Sequence, residues 1–216
     1  IENVMWLPLA CDPEIHGKVE VEKEFDVGFV GTISSGQDRR NVLLKKLKEK
    51  FDLSCKRKFM DEMAEHYSKA RVVFNNAINN DLNMRVFEAL CSGSLLITDP
   101  APGSGLDEIF QDKEHLVLYN DDNLEEIISH YLNNEKERVR ISDNGRREVL
   151  AKHTYGHRTE QMIQTLNDGF SGANEDDPVS TTDKPISYYE NIRNDLIPLI
   201  PDNASCILEV GCGSGM

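Results

Sequence analysis

The run from Asn75 to Asp99, NNAINNDLNMRVFEALCSGSLLITD, constrains the fold more than any other part of the chain. Just before it, Val72, Val73 and Phe74 form a short apolar stretch that stops at the amides Asn75 and Asn76. After a second polar turn, the spacing predicts a helix opening near Leu82. Met84, Phe87, Leu90 and Cys91 are its apolar anchors, and Arg85 and Glu88, three residues apart, share one face. Gly93 is a stop signal, and Leu95, Leu96, Ile97 and Thr98 read as a strand buried on both sides. Strand, polar loop, helix and buried strand make a βαβ unit. Its loop lies at the carboxyl edge of a parallel sheet, where open α/β folds bind ligands.

The rest of the chain keeps this rhythm. The stretch Val4 to Glu24, broken by Pro8 and Pro13, reads as a crossover rather than a core element. Phe25, Val27, Phe29 and Val30 predict a strand ending at Gly31, then a turn-rich loop and a helix from about Arg39 to Lys50. Leu53 to Phe59 reads as a strand, and Asp61 as the N-cap of a helix reaching Ala70. Beyond the central unit come a strand from His115 to Tyr119 and helices over Asp122 to Asn133, Glu135 to Lys152 and Tyr155 to about Phe170. The expected class is α/β, a Rossmann-like doubly wound parallel sheet.

Composition narrows the function. A length of 216 residues leaves room for one domain of about 100 to 200 residues and a piece of another. A formal charge of −14, with no basic stripe carrying interleaved aromatics, argues against a nucleic-acid partner and reads as a solubilising surface. No apolar run approaches the roughly 20 residues that span a bilayer. Cys11, Cys55, Cys91, Cys206 and Cys212 are odd in number and contain no C-x-x-C pair, which fits a reducing cytoplasm better than disulfides or zinc. No metal site is expected. The chain begins in mid-pattern at Ile1, without a leader or initiator Met, and is expected to be an excerpt of a longer protein.

Taken in order, FDVGFVG (Phe25 to Gly31), DLNMRVFEALCSG (Asp81 to Gly93), LLITD (Leu95 to Asp99), EHLVLY (Glu114 to Tyr119) and HTYGHR (His153 to Arg158) resemble the carboxyl-terminal half of spore-maturation-protein-type glycosyltransferases. These are group 1 enzymes of the retaining GT-B class. The resemblance spans residues 1–170 and implies the donor-binding half of a GT-B fold, which holds a nucleotide-sugar and faces an acceptor-binding domain preceding Ile1. It implies a hexosyltransferase-like activity in the full-length parent and little or none in this fragment alone. By the same resemblance Glu88 accepts the ribose hydroxyls, and Gly31 and Thr32 form the first-strand loop near the diphosphate. Arg85 or the Arg39/Arg40 pair is expected to neutralise phosphate charge as the leaving group departs, a role in electrostatic stabilisation that needs no metal.

Asn75 and Asn83 join the candidate donor site through their place at the sheet edge, although such residues also serve turn backbone. Related enzymes pair two glutamates separated by seven residues. Counting back from Glu88 reaches Asn80, an amide, with Asp81 beside it. Arg39 and Arg40 open a helix whose far end is lysine-rich and read as a solvated face, while His153 and His157 read as capping and packing of the last helix.

Ser171 to Lys184 has no apolar spacing able to bury a face and reads as a linker, 171–184. Ile207 to Gly215, ILEVGCGSG, resembles the first glycine motif of class I methyltransferases that use S-adenosylmethionine (SAM), with Tyr188 to Pro201 as the lead-in helix. That resemblance implies Glu209, Gly211, Gly213 and Gly215 at a SAM site and a methyltransferase fragment at 185–216. The ribose-holding carboxylate of such a domain lies past the next helix, so SAM is expected as a cofactor only of the complete parent.

Two other readings stay open: a non-catalytic α/β interaction module, and a parent whose activity is chiefly methyl transfer. A dinucleotide enzyme such as an epimerase is disfavoured, because Gly31-Thr32-Ile33 does not supply G-x-G-x-x-G.

Overall fold

The computed structural model describes residues 5–33, 39–57 and 60–167. Nearly all of these belong to one compact unit, Pro8–Gly169. The second unit joins Ile1–Leu7 with Phe170–Met216 and is described only over Met5–Leu7. The linker and the Glu209, Gly211, Gly213 and Gly215 motif therefore lie outside the described residues.

The main unit is an α/β fold. A short helix α1 (Pro13–His16) precedes β1 (Phe25–Val30), α2 (Arg39–Lys50), β2 (Leu53–Lys56), α3 (Met60–Lys69) and β3 (Ala70–Phe74). Then follow α4 (Met84–Cys91), β4 (Leu95–Thr98), α5 (Leu106–Ile109), β5 (Val117–Leu118), α6 (Leu124–Asn133), α7 (Glu135–Lys152) and α8 (Tyr155–Asn167). The five strands form one parallel sheet in the order β2-β1-β3-β4-β5. β1 stands between the strands that follow it, so the chain leaves β1 on one side and returns to β3 on the other. That reversal is the topological switch point of such a sheet, and ligands of doubly wound folds bind outside the strand ends there.

Period-two alternation explains why the sheet is covered twice. On one face Phe25, Val73 and Leu96 pack with Tyr67 of α3, Val86, Phe87 and Leu90 of α4 and Val149 of α7. On the other, Val27, Phe29, Val72, Phe74, Leu95 and Ile97 pack with Leu43 and Leu47 of α2 and Leu124 and Ile128 of α6. Each large side chain removed from water in this way contributes about 1.5 to 3 kcal/mol. The two layers together leave the strand ends as the open chemical surface.

Several element ends differ from the sequence reading. β2 stops at Lys56, and α3 begins at Met60, so Asp61 lies within the helix rather than capping it. Ala70 opens β3 directly after α3. The central helix starts at Met84 with Asn83 as its N-cap, and Met84 is 40 % exposed because it projects from the first turn above the core. Val86 supplies the burial expected of Met84. Gly93, at φ 73°, takes the left-handed turn that ends this segment.

Candidate functional site

Three strand ends meet at the switch point. β1 ends at Val30 and Gly31, β3 at Asn75 and Asn76, and β4 at Thr98 and Asp99. Arg85, in the first turn of α4, reaches across the first two. Its Nε donates to the Val30 carbonyl at 2.9 Å and its Nη1 to Asn75 Oδ1 at 2.6 Å. The Asn75 amide nitrogen donates onward to Thr98 Oγ1 at 3.0 Å, so both ends of this buried side chain are used inside the protein. The guanidinium also lies 4.8 Å from the Phe29 ring centroid, a cation–π contact. A β-carbon at Gly31 would fall 2.7 Å from Arg85 Nη2, so this glycine is what lets the charge sit against the β1 turn.

Glu88 follows one helical turn later. It is buried, 8 % exposed, and burial raises its pKa against the pull of Arg85. Among the described residues its carboxylate accepts no hydrogen bond, and its ion-pair contact is with His16 of α1, whose Nε2 lies 3.8 Å from Oε1. That distance exceeds hydrogen-bond reach. The imidazole is neutral there: its Nδ1 accepts the Asp12 N–H at 3.0 Å, and burial lowers its pKa. Its proton therefore sits on Nε2, on the Glu88 side. Nearby, burial pushes the Tyr67 phenol up against the pull of Arg85, with Glu88 adding to the rise. The result is a mostly buried carboxylate that accepts no hydrogen bond from any described residue.

A second polar layer covers the next strand end. Asp99, buried at the end of β4, accepts from the Ala77 N–H at 2.8 Å, from Asn76 Nδ2 at 2.9 Å and from Arg39 Nη1. Arg39 also grips Asp121 through Nη2 at 2.7 Å, and the two carboxylates hold it firmly charged. Arg40 Nη2 donates to the Asn76 carbonyl at 3.0 Å, its Nη1 reaches the Thr32 carbonyl at 3.4 Å, and its guanidinium lies 5.5 Å from the Phe29 ring centroid. Arg39, still exposed, and Arg40 thus turn onto the sheet edge from a helix whose lysines face solvent.

Arg85 thus joins Gly31 and Asn75 at the strand ends, Glu88 follows one turn later on α4, and Thr32 is exposed beside Gly31. Asn83 caps α4 without a side-chain cap bond, and its buried Oδ1 has no hydrogen-bond partner among the described residues. His153 and His157 lie elsewhere: His153 closes α7 and accepts from Arg158, and His157 meets the Thr154 hydroxyl at 2.7 Å. Asp99 and His16 were not singled out from sequence. Asp99 carried a usable signal, a carboxylate immediately after a buried strand. For α1 the signal was Asp12-Pro13-Glu14, an N-cap followed by proline at the first helical position.

A family model described as glycosyl transferase-like matches residues 39–164. The chain belongs to this glycosyl transferase-like family. No curated protein sequence matches it. Among solved structures, the family member is similar to sucrose-phosphate synthase from Thermosynechococcus elongatus at 14 % identity and TM-score 0.59, covering 75 % of this chain and 51 % of that one. It is also similar to the C-terminal domain of a glycosyl transferase group 1 family protein from Francisella tularensis, at 15 % identity and TM-score 0.55, over 67 % of this chain and 99 % of that one. A third is HepE from Anabaena in complex with UDP and glucose, at 14 % identity and TM-score 0.54, over 68 % and 49 %. The chain thus spans about half the length of the synthase and of HepE. At these identities the likeness is one of fold, and the fold is that of the GT-B glycosyltransferases. No helix among the described residues is long and apolar enough to cross a membrane.

Proposed function

We propose that this domain is the donor-binding half of a glycosyltransferase, holding a nucleoside diphosphate sugar across the switch point. The carrying observation is Glu88: a buried carboxylate on α4, one turn from Arg85, that accepts no hydrogen bond from any described residue. The desolvation it suffers is offset when two neighbouring hydroxyls, such as those of a ribose, donate to it. Arg85, pinned by Val30 and Asn75 beside Gly31, places positive charge where the β1 turn and Thr32 admit a diphosphate. It stabilises charge on the departing nucleotide without moving a proton. The open Asn83 Oδ1 offers one further acceptor. HepE, with the same fold, was solved with UDP and glucose, which supports a uridine nucleotide and a hexose.

In this reading residues 1–170 form the donor domain of a longer cytoplasmic enzyme that includes an acceptor-binding domain, 171–184 a linker, and 185–216 the opening of a methyltransferase domain that uses SAM. Transfer to an acceptor then requires the parent protein. Calorimetry on the folded chain with UDP, GDP and TDP and their glucose conjugates tests the donor site. At least one nucleotide is expected to bind, and to lose most of its affinity in Glu88→Gln. Absence of heat from the whole panel would overturn the proposal.

A further inference from the structure

A groove of about 430 Å³ opens between α2 and the outermost strand, with Ile33 of the loop after β1 also in its lining. Asn41, Leu44, Lys45 and Lys48 supply its helical wall, at the i, i+3, i+4 and i+7 spacing of one face. All four residues of β2, Leu53–Lys56, supply the other. Successive strand side chains point to opposite faces, so a groove touched by four in a row runs along the strand's edge rather than over its face.

Among the described residues that edge carries unused backbone: β2 ends the sheet and pairs there with β1 alone. The β1 N–H groups of Val27 and Gly31 take the carbonyls of Asp52 and Lys56, so in a parallel ladder the even-numbered residues face β1. Leu53 and Cys55 consequently turn their N–H and C=O groups outward, along the groove.

The charge around this edge runs against the rest of the chain. Arg39 to Lys58 holds nine of the 24 Lys and Arg residues and only two acids, Glu49 and Asp52, in a chain of net charge −14. Lys50 is paired with Glu125, and Arg39 with Asp99 and Asp121. Lys45, Lys48 and Lys56, which line the groove, form no ion pair with any described residue. Ile33, in the lining, and Val42 of α2 stand 52 % and 49 % exposed.

We propose that this groove receives an acidic, extended segment of a partner protein, which pairs with β2 as a sixth strand. The outward amides of Leu53 and Cys55 set the register, and the three lysines select the charge. A second copy of the chain is disfavoured, because pairing two β2 edges brings unpaired lysines against lysines; edge lysines commonly protect sheets from such self-association. A structureless polyanion would use the lysines but not the backbone.

Fluorescence anisotropy of the full 216-residue chain with a labelled ten-residue peptide of alternating Glu and Val tests this. The acidic peptide is expected to bind, to weaken as salt is raised, and to be indifferent to UDP-glucose at the switch point. The Lys-Val counterpart and an acidic peptide N-methylated at alternate residues are expected not to bind. The triple variant Lys45→Glu, Lys48→Glu, Lys56→Glu, folded by circular dichroism, should lose roughly tenfold or more in affinity. Slower amide exchange at Leu53 and Cys55 on binding would support strand addition. Equal binding of the N-methylated peptide or of phosphatidylglycerol vesicles, self-association through this edge in the sedimentation profile, or no binding by the folded chain would each overturn it.

Discussion

Arg158 and Glu88 are both buried charged groups in one domain, and the protein treats them oppositely. Arg158 Nε donates to the Pro8 carbonyl at 2.9 Å, Nη1 to Gln161 Oε1 at 3.1 Å and Nη2 to His153 Nδ1 at 2.8 Å. Weaker contacts reach the carbonyls of Lys152 and Leu9. Around it Cys11 N–H meets the His153 carbonyl at 3.1 Å, and Tyr155 N–H meets the Cys11 carbonyl at 3.0 Å. Every part of that guanidinium is spent on closing the segment before α1 against the start of α8. Glu88 feels the Arg85 charge but accepts no hydrogen bond from any described residue, the His16 imidazole standing 3.8 Å away. A buried charge whose partners are all internal holds the fold together, whereas one left without donors is a cost that a ligand can relieve.

The largest expected effect tests the satisfied side. Arg158→Ala leaves several carbonyls and His153 without their donor, and should cost about 3 to 4 kcal/mol of unfolding free energy, read from urea denaturation. The remaining folded protein should bind nucleotide as before. Glu88→Gln should do the reverse. Removing a desolvated charge leaves stability unchanged or slightly improved, while nucleotide affinity falls roughly ten- to a hundredfold, the range of hydrogen bonds to a charged acceptor. A Glu88→Gln protein as unstable as Arg158→Ala would break the contrast, since Glu88 would then be structural too.

Proton linkage sharpens the same pair at a smaller scale. Burial, aided by the Arg158 charge, lowers His153 to about 4 from an ordinary value of 6.5. The folded protein holds fewer protons there than the unfolded chain, so this contribution is present above about pH 6.5 and is lost as the pH falls toward 4. Glu88 is raised by burial, so the folded protein holds its proton more tightly and stability falls as pH rises from the ordinary carboxylate value to the raised one. Nucleotide affinity should climb over that same Glu88 window, because the ionised form is the acceptor. Urea midpoints against pH in wild type, His153→Asn and Glu88→Gln would separate the two slopes. A Glu88→Gln slope identical to wild type would remove the carboxylate from the account.

Much of the fold was readable because its signals are local. β3 and β4 are apolar runs ending at Asn75 and Asp99, and α4 between them shows helical spacing that stops at Gly93, so all three are marked without reference to anything distant. The parallel alternation put Gly31 and Asn75 at strand ends and Arg85 on the helix that follows, and the contacts of Arg85 with Val30 and Asn75 agree with that order. What stayed hidden depends on partners far along the chain. Arg39 opens a lysine-rich helix, and only its contacts with Asp99, 60 residues away, and Asp121, 82 away, turn it inward. His16 meets Glu88 because a four-residue helix in an apparent crossover packs on α4, and no periodicity can announce an element that short. Long side chains leave their direction to tertiary charge.

The smallest expected effect probes how tightly Arg85 is held. Gly31→Ala places a β-carbon within 2.7 Å of Arg85 Nη2 and 2.9 Å of Phe29 Cζ. The end of an arginine can move, so the fold should lose only about 0.5 to 1 kcal/mol, near the low end of ordinary single substitutions. The guanidinium cannot move and also keep both the Val30 carbonyl and Asn75 Oδ1, so nucleotide affinity should drop a few-fold with little change in stability. Arg85→Gln removes the charge outright and should cost more. If Gly31 acts through Arg85, combining the two substitutions should cost no more affinity than Arg85→Gln alone, which a double-mutant cycle by calorimetry reads directly. Additive losses would mean that the Gly31 turn meets the diphosphate on its own account, and Arg85 would then be a brace between two strand ends rather than the charge the nucleotide feels.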